Sequence, residues 1–280
     1  MKFAQTTRSA WMTLMTLTLA ASQSSALAQT DGTSTAQKKP EEKSLLENIK
    51  VNYWGMYAGS GLTFQGYHPD QNGKPAGPIG SWNQLNAGYR FTPNFQVEGQ
   101  MIFDWKISGG QALSLLNPRV GVSGTAYNKN GLFVWLNMNA EIPTSEGAVR
   151  DGLITSVGGF QEIVYNLPNT KTDLVFWNWT RFYAYQNSLY GQTIAGGVQP
   201  TVRYALTPTF KPLVTLEVPY QLNRPANGGE FITSSAIIRP GFSWDVTSRI
   251  NVMPYLMIRP AAPVTADSTA LGMWLSGSIL

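Results

Sequence analysis

The stretch Phe95-Gln96-Val97-Glu98-Gly99-Gln100-Met101-Ile102-Phe103-Asp104-Trp105, entered through Thr92-Pro93-Asn94, decides the fold. Phe95, Val97, Gly99, Met101, Phe103 and Trp105 alternate with Gln96, Glu98, Gln100, Ile102 and Asp104. A period of two puts each set on its own face of a β-strand, one apolar and one polar. A soluble sandwich would build its apolar face from Val, Ile and Leu. Strands of about ten residues with aromatic ends suit the lipid face of a transmembrane barrel instead.

The same alternation predicts strands near 51–64, 82–91, 95–105, 118–127, 131–142, 153–166, 172–185, 194–206, 210–221, 232–246, 250–259 and 268–280. Short turns at 92–94, 128–130, 167–171, 207–209 and 247–249 alternate with longer loops at 66–80, 106–117, 143–152, 186–193, 222–230 and 260–267. Short connections on one side and long ones on the other are the periplasmic and extracellular ends of an outer-membrane barrel. The expected fold class is therefore all-β: a transmembrane antiparallel up-and-down β-barrel of about 12 strands, with a short N-terminal periplasmic segment. Prolines belong where ladder pairing ends. Pro118, Pro200 and Pro240 are expected to open descending strands, and Pro143, Pro219 and Pro260 to follow ascending ones. Pro212 and Pro254 fall inside strands and predict a bulge or a locally missing bond.

The N-terminus points to the same compartment. Lys2 and Arg8 precede a short apolar stretch over 10–21, and Ala26-Leu27-Ala28 matches a signal-peptidase site, so 1–28 reads as a signal peptide. The stretch is too short and too rich in threonine for a spanning helix. Residues 29–50 form a tail, polar and without apolar period over Thr30–Pro40. Leu45, Leu46 and Ile49 then fall at helical spacing in Glu41–Lys50, either as a plug for the periplasmic mouth or as a solvated spacer. The barrel occupies 51–280, with no linker or composition break to divide it.

Without cysteine the chain has no disulfide, thiolate metal site or cysteine nucleophile. Loss of Lys2 and Arg8 with the signal leaves 18 basic against 16 acidic residues, a balance that gives no case for nucleic-acid binding. The one histidine, His68, lies in the Gly/Pro-rich loop Gly66-Tyr67-His68-Pro69-Asp70 and reads as a solvated loop residue. Asp70-Gln71-Asn72-Gly73 has turn chemistry and lacks the ligand spacing of a calcium loop. No catalytic residue, metal ligand or cofactor site is assigned.

Charge facing lipid at the bilayer midplane is costly, so the polar face belongs inside. This makes Arg90, Glu98, Asp104, Arg119, Glu141, Glu162, Arg181, Arg203 and Glu217 the candidate pore-lining residues. Two readings stay open: a lining that sets solute preference by mixed charge, or a network of Glu and Arg pairs that fills the barrel. On 172–185, Leu174, Phe176, Phe182 and Ala184 are expected to face lipid, leaving Arg181 inside with Trp177, Trp179, Tyr183 and Tyr185. Those aromatics suit either solute stacking or an interfacial girdle.

The signal peptide, the repeated strand-Thr-Pro-x-strand elements at Tyr89–Val97 and Tyr204–Val214, and the closing strand Thr269–Leu280 resemble Gram-negative outer-membrane β-barrels of the porin-like transporter kind. The chain also resembles transporters grouped under a phenol-degradation label, a resemblance that implies no substrate. The resemblance implies membrane lipid and lipopolysaccharide as surroundings and the barrel assembly machinery as a partner. This chain ends Ser278-Ile279-Leu280, without the terminal aromatic residue that such barrels often carry. The expected function is an outer-membrane channel for passive diffusion of small solutes. Alternatives are a structural or surface-interaction barrel with a closed lumen, or an export partner that uses 29–50.

Overall fold

The computed structural model describes residues 48–63, 67–69, 75–107, 112–186, 192–224, 229–261 and 263–280, with backbone only for 67–69 and 75–78. The signal peptide and residues 29–47 of the tail, with most of the helix expected over 41–50, lie outside the described residues. Its last two residues, Ile49 and Lys50, are not helical as expected; they open the first strand.

All twelve expected strands are present: β1 (Ile49–Gly61), β2 (Gly80–Arg90), β3 (Phe95–Lys106), β4 (Arg119–Lys129), β5 (Leu132–Glu141), β6 (Leu153–Asn166), β7 (Thr172–Tyr185), β8 (Gln192–Tyr204), β9 (Phe210–Asn223), β10 (Ile237–Asp245), β11 (Ile250–Met257) and β12 (Ala270–Ser278). Each pairs antiparallel with its sequence neighbours, and β12 pairs with β1 to close the wall. The tenth differs from its expected 232–246. Phe231–Thr233 is a separate short strand added to β9, and β10 starts at Ile237. Leu113–Leu115 adds to β3 in the same way. Tyr67–Pro69 and Pro75–Pro78 make a small hairpin of their own, so His68, expected in a loop, pairs with Gly77 in a short strand. The loop after β5 holds a helical turn, Glu146–Arg150, capped by Ser145.

The short turns show why Thr recurs in them. Thr92, Thr207 and Thr247 each donate their N–H to the carbonyl three residues on, at 3.3, 3.2 and 3.3 Å. Each Oγ1 accepts the returning N–H of Phe95, Phe210 or Ile250, at 3.0, 3.0 and 3.1 Å. The β4–β5 turn lies one residue later than expected. Asn130 (φ 55°) and Gly131 (φ 76°) form a two-residue hairpin turn, the pairing that Asn-Gly favours because both positions need positive φ.

The prolines correct one expectation and extend another. Pro200, Pro219 and Pro240 lie inside β8, β9 and β10 rather than at their ends. At every proline inside a strand, one of its two ladders lapses. The β8–β9 ladder skips from Val198 to Thr201 and stops at Leu213 before Pro212. The β9–β10 ladder stops at Glu217 before Pro219. The β10–β11 ladder skips from Val252 to Tyr255 across Pro254 and is unpaired at Pro240. A residue without an N–H is tolerated where its neighbour does not need one. At Pro212 and Pro254 alike this is the expected lapse in pairing, without a bulge.

Register fixes which side each residue faces, because antiparallel partners share a face. The outward set includes Val97 (50% exposed), Met101 (47%), Val202 (52%) and Val214 (51%). Tyr89, Tyr165, Tyr204 and Trp244 ring one end of it. Between the rims every Asp, Glu, Lys and Arg of the strands is on the inward register. An exposed apolar belt with aromatic rims and no charge is a lipid-facing surface, so this is a membrane-embedded barrel.

Candidate functional site

The interior combines a polar network with an apolar core. On β2 to β6 it is polar, and its centre is Glu98, 5% exposed. Its Oε1 accepts from Gln100 Nε2 (2.7 Å) and Asn137 Nδ2 (2.6 Å), and its Oε2 from Gln96 Nε2 (2.8 Å) and Ser123 Oγ (2.7 Å). Four neutral donors saturate this carboxylate, and no cation touches it among the described residues.

Towards the long-loop end the charge is shared differently. Glu141 Oε2 meets Arg119 Nε and Arg181 Nη1, each at 3.3 Å. The same oxygen accepts from Ser156 Oγ at 3.1 Å, and Oε1 accepts from Asn117 Nδ2 at 2.6 Å. Arg181 also donates to Ser156 Oγ (2.8 Å) and Asn139 Oδ1. Asn117 Oδ1 in turn accepts the N–H groups of Thr144 and Ser145, so the cluster anchors the base of the following loop. Gly158 must be glycine here: a Cβ would stand 2.9 Å from Arg181 Cα.

From β6 round to β12 the interior adds an apolar core beside its own polar groups, among them buried Thr201, Thr215 and Arg239. Val164, Val175, Trp177, Leu213, Met253, Tyr255, Met257, Ala270 and Trp274 form one buried cluster, with Met56 packed against it. A row of tryptophans that ends in this cluster crosses the lumen. Trp82 on β2 meets Trp54 on β1 (ring centroids 5.1 Å), Trp54 meets Trp274 on β12 (6.3 Å), and Trp274 meets Trp177 on β7 (5.4 Å). Strands β7 and β12 stand on opposite sides of the wall. A circular barrel of twelve tilted strands would be roughly 24 Å across. Two indoles cannot bridge that span, so the cross-section is flattened where Trp177 and Trp274 touch. Edge-to-face pairs of this kind add about 0.5–1.5 kcal/mol each beyond burial. Arg239 braces the partition, its guanidinium 5.0 Å from the Tyr255 ring and 5.4 Å from the Trp274 ring, with Glu217 as counter-ion.

Each candidate lining residue faces inward, in varied settings. Arg90 is exposed at the short-turn end of β2, and Asp104 is half-buried on β3 opposite Trp82. Glu162 lies between Trp135 and Trp177. Arg203 pairs with Asp173 at 3.3 Å, and Lys211 with the same carboxylate at 4.0 Å. Of the pairings a filled lumen would use, Glu141 with Arg119 occurs, while Glu217 takes Arg239 and Glu98 takes no arginine. Trp177, Trp179 and Tyr183 share the inward register of Arg181, so they are not girdle residues. Sequence reasoning passed over Arg239 and the partition made by Trp54, Trp82 and Trp274. Their inward register was readable from alternation; their meeting across the lumen was not. Among the described residues no three His, Asp or Glu side chains gather as metal ligands.

No family model matches the sequence and no curated protein does, so the likeness to phenol-degradation transporters gains no support. The structure is similar to the crystal structure of the COG4313 outer membrane channel from Pseudomonas putida F1. The TM-score is 0.51 at 12% identity, covering 82% of this chain and 94% of that one. At that identity the likeness concerns the fold, which in both is a barrel of the kind that spans a membrane with strands.

Proposed function

We propose that this protein is a channel of the bacterial outer membrane for passive movement of small solutes, held closed at rest by its tryptophan partition. The observation that carries the reading is the Trp177–Trp274 contact across a membrane barrel whose inner wall otherwise carries charge and amides. A hydrophobic constriction excludes water and stops ions without any covering domain. Because the barrier is made of side chains from the wall, rotation about a few χ angles opens it while the barrel stays intact. The similarity to an outer membrane channel agrees with this reading. A second reading, a surface-interaction barrel with a permanently filled lumen, draws on the same contact and on the saturated Glu98 network.

Swelling of vesicles that hold the refolded barrel, in neutral solutes of graded size, tests the proposal. Wild type should admit the smallest solutes slowly and Trp274→Ala many times faster. If both are folded and impermeable, the filled-barrel reading stands instead. If wild type already equals the variant, the partition is no barrier.

A further inference from the structure

Polar side chains on the outward face divide into two kinds. Asn83 satisfies itself within the wall, donating to Ser81 Oγ (2.9 Å), Ser81 O (3.2 Å) and Phe103 O (3.3 Å) and accepting from Tyr53 OH (2.6 Å). Thr180 Oγ1 bonds Tyr220 OH at 2.6 Å, and Thr155 donates to Glu141 O at 2.8 Å. Gln161 on β6 and Asn178 on β7 are different. They are direct register partners on the outer face, yet neither amide has a hydrogen bond among the described residues, and Asn178 Oδ1 is buried without one.

Their depth makes this costly. Gln161 is four residues from the rim Tyr165, and Asn178 four from Phe182 towards the other rim. At the rise of a tilted strand each separation is about 10 Å, which puts the pair near the middle of an apolar belt about 25 Å tall. Lipid tails offer an amide neither donor nor acceptor, and headgroups do not reach that depth.

We propose that this wall is an interface between two copies of the chain within the membrane, in which Gln161 and Asn178 of each copy hydrogen-bond to those of the other across a two-fold axis. An amide carries both a donor and an acceptor, so a side-by-side Gln and Asn are complementary to themselves under two-fold symmetry and need no second kind of surface. Polar side chains of this sort hold membrane segments together. Val157, Gly159 and Ile163 flank Gln161 on the same face; the flanking surface is apolar, and Gly159 lets a partner come close. The proposal rests on the barrel being membrane-embedded and is independent of whether its lumen opens.

The chain has no cysteine, so a single introduced one reports its own neighbours. Full-length Gln161→Cys and Leu271→Cys are oxidised in native membranes, Leu271 being outward and 41% exposed on β12 across the barrel. Heat-modifiable migration confirms that each is folded. Gln161→Cys should give a covalent dimer and Leu271→Cys at most a tenth as much. The pair Gln161→Leu with Asn178→Leu should lower the dimer fraction at least tenfold when single barrels are counted by photobleaching. Equal cross-linking at both cysteines, or Gln161→Cys linked only to a different protein, overturns the proposal.

Discussion

Replacing Glu141 with glutamine removes one charge from the most tightly coupled cluster of the interior while keeping its shape. The amide oxygen can still accept from Asn117, but Arg119 and Arg181, each 3.3 Å from the carboxylate, are left facing one another. At that distance and an effective dielectric of about 20, each contact carries about 5 kcal/mol of Coulomb attraction. Desolvation offsets much of this in the intact cluster. Once one partner is gone the offset does not return, and breaking a buried pair costs about 3–5 kcal/mol. Urea unfolding of the refolded barrel in vesicles, followed by tryptophan fluorescence, should show a loss of that size for Glu141→Gln. Adding Arg181→Gln should recover part of it, because one unpaired cation is then removed. A single variant within about 1 kcal/mol of wild type, or a double variant whose losses simply add, would refute the reasoning.

Two further outcomes follow from named contacts. Glu98→Leu strands the donors of Gln96, Gln100, Ser123 and Asn137 and should cost at least about 3 kcal/mol in the same unfolding assay, with Glu98→Gln costing less because one oxygen still accepts from Gln100 and Asn137. Thr92→Ala, Thr207→Ala and Thr247→Ala should each cost about 0.5–1.5 kcal/mol and add in the triple variant, since the three turns share no contacts.

The strands and their two faces were legible because alternation is local and strong: from Phe95 to Trp105 the sequence alone places Glu98 and Asp104 inside and Met101 outside. The Asn130-Gly131 turn was legible in principle, since Asn-Gly is the residue pair that a two-residue hairpin demands. Proline was misread for a physical reason. The sequence marks where an N–H is missing but not which neighbouring strand has already stopped pairing, and Pro200, Pro219 and Pro240 exploit that freedom. The partners of inward charges were hidden for a related reason. Glu98 finds Asn137 two strands away, and Glu217 finds Arg239 rather than Arg203, through strand-to-strand register, which alternation within one strand does not state. Least legible was the partition, because no local pattern announces that opposite walls approach until the indoles of Trp177 and Trp274 touch.

The most direct test of the closed-at-rest channel is single-channel recording in planar bilayers of the refolded barrel, wild type beside Trp177→Ala. Long closed intervals with brief small openings in wild type, and steady current in Trp177→Ala, are the predicted result. A wild type open as steadily and as widely as the variant, or a folded variant that passes no current, would contradict the account.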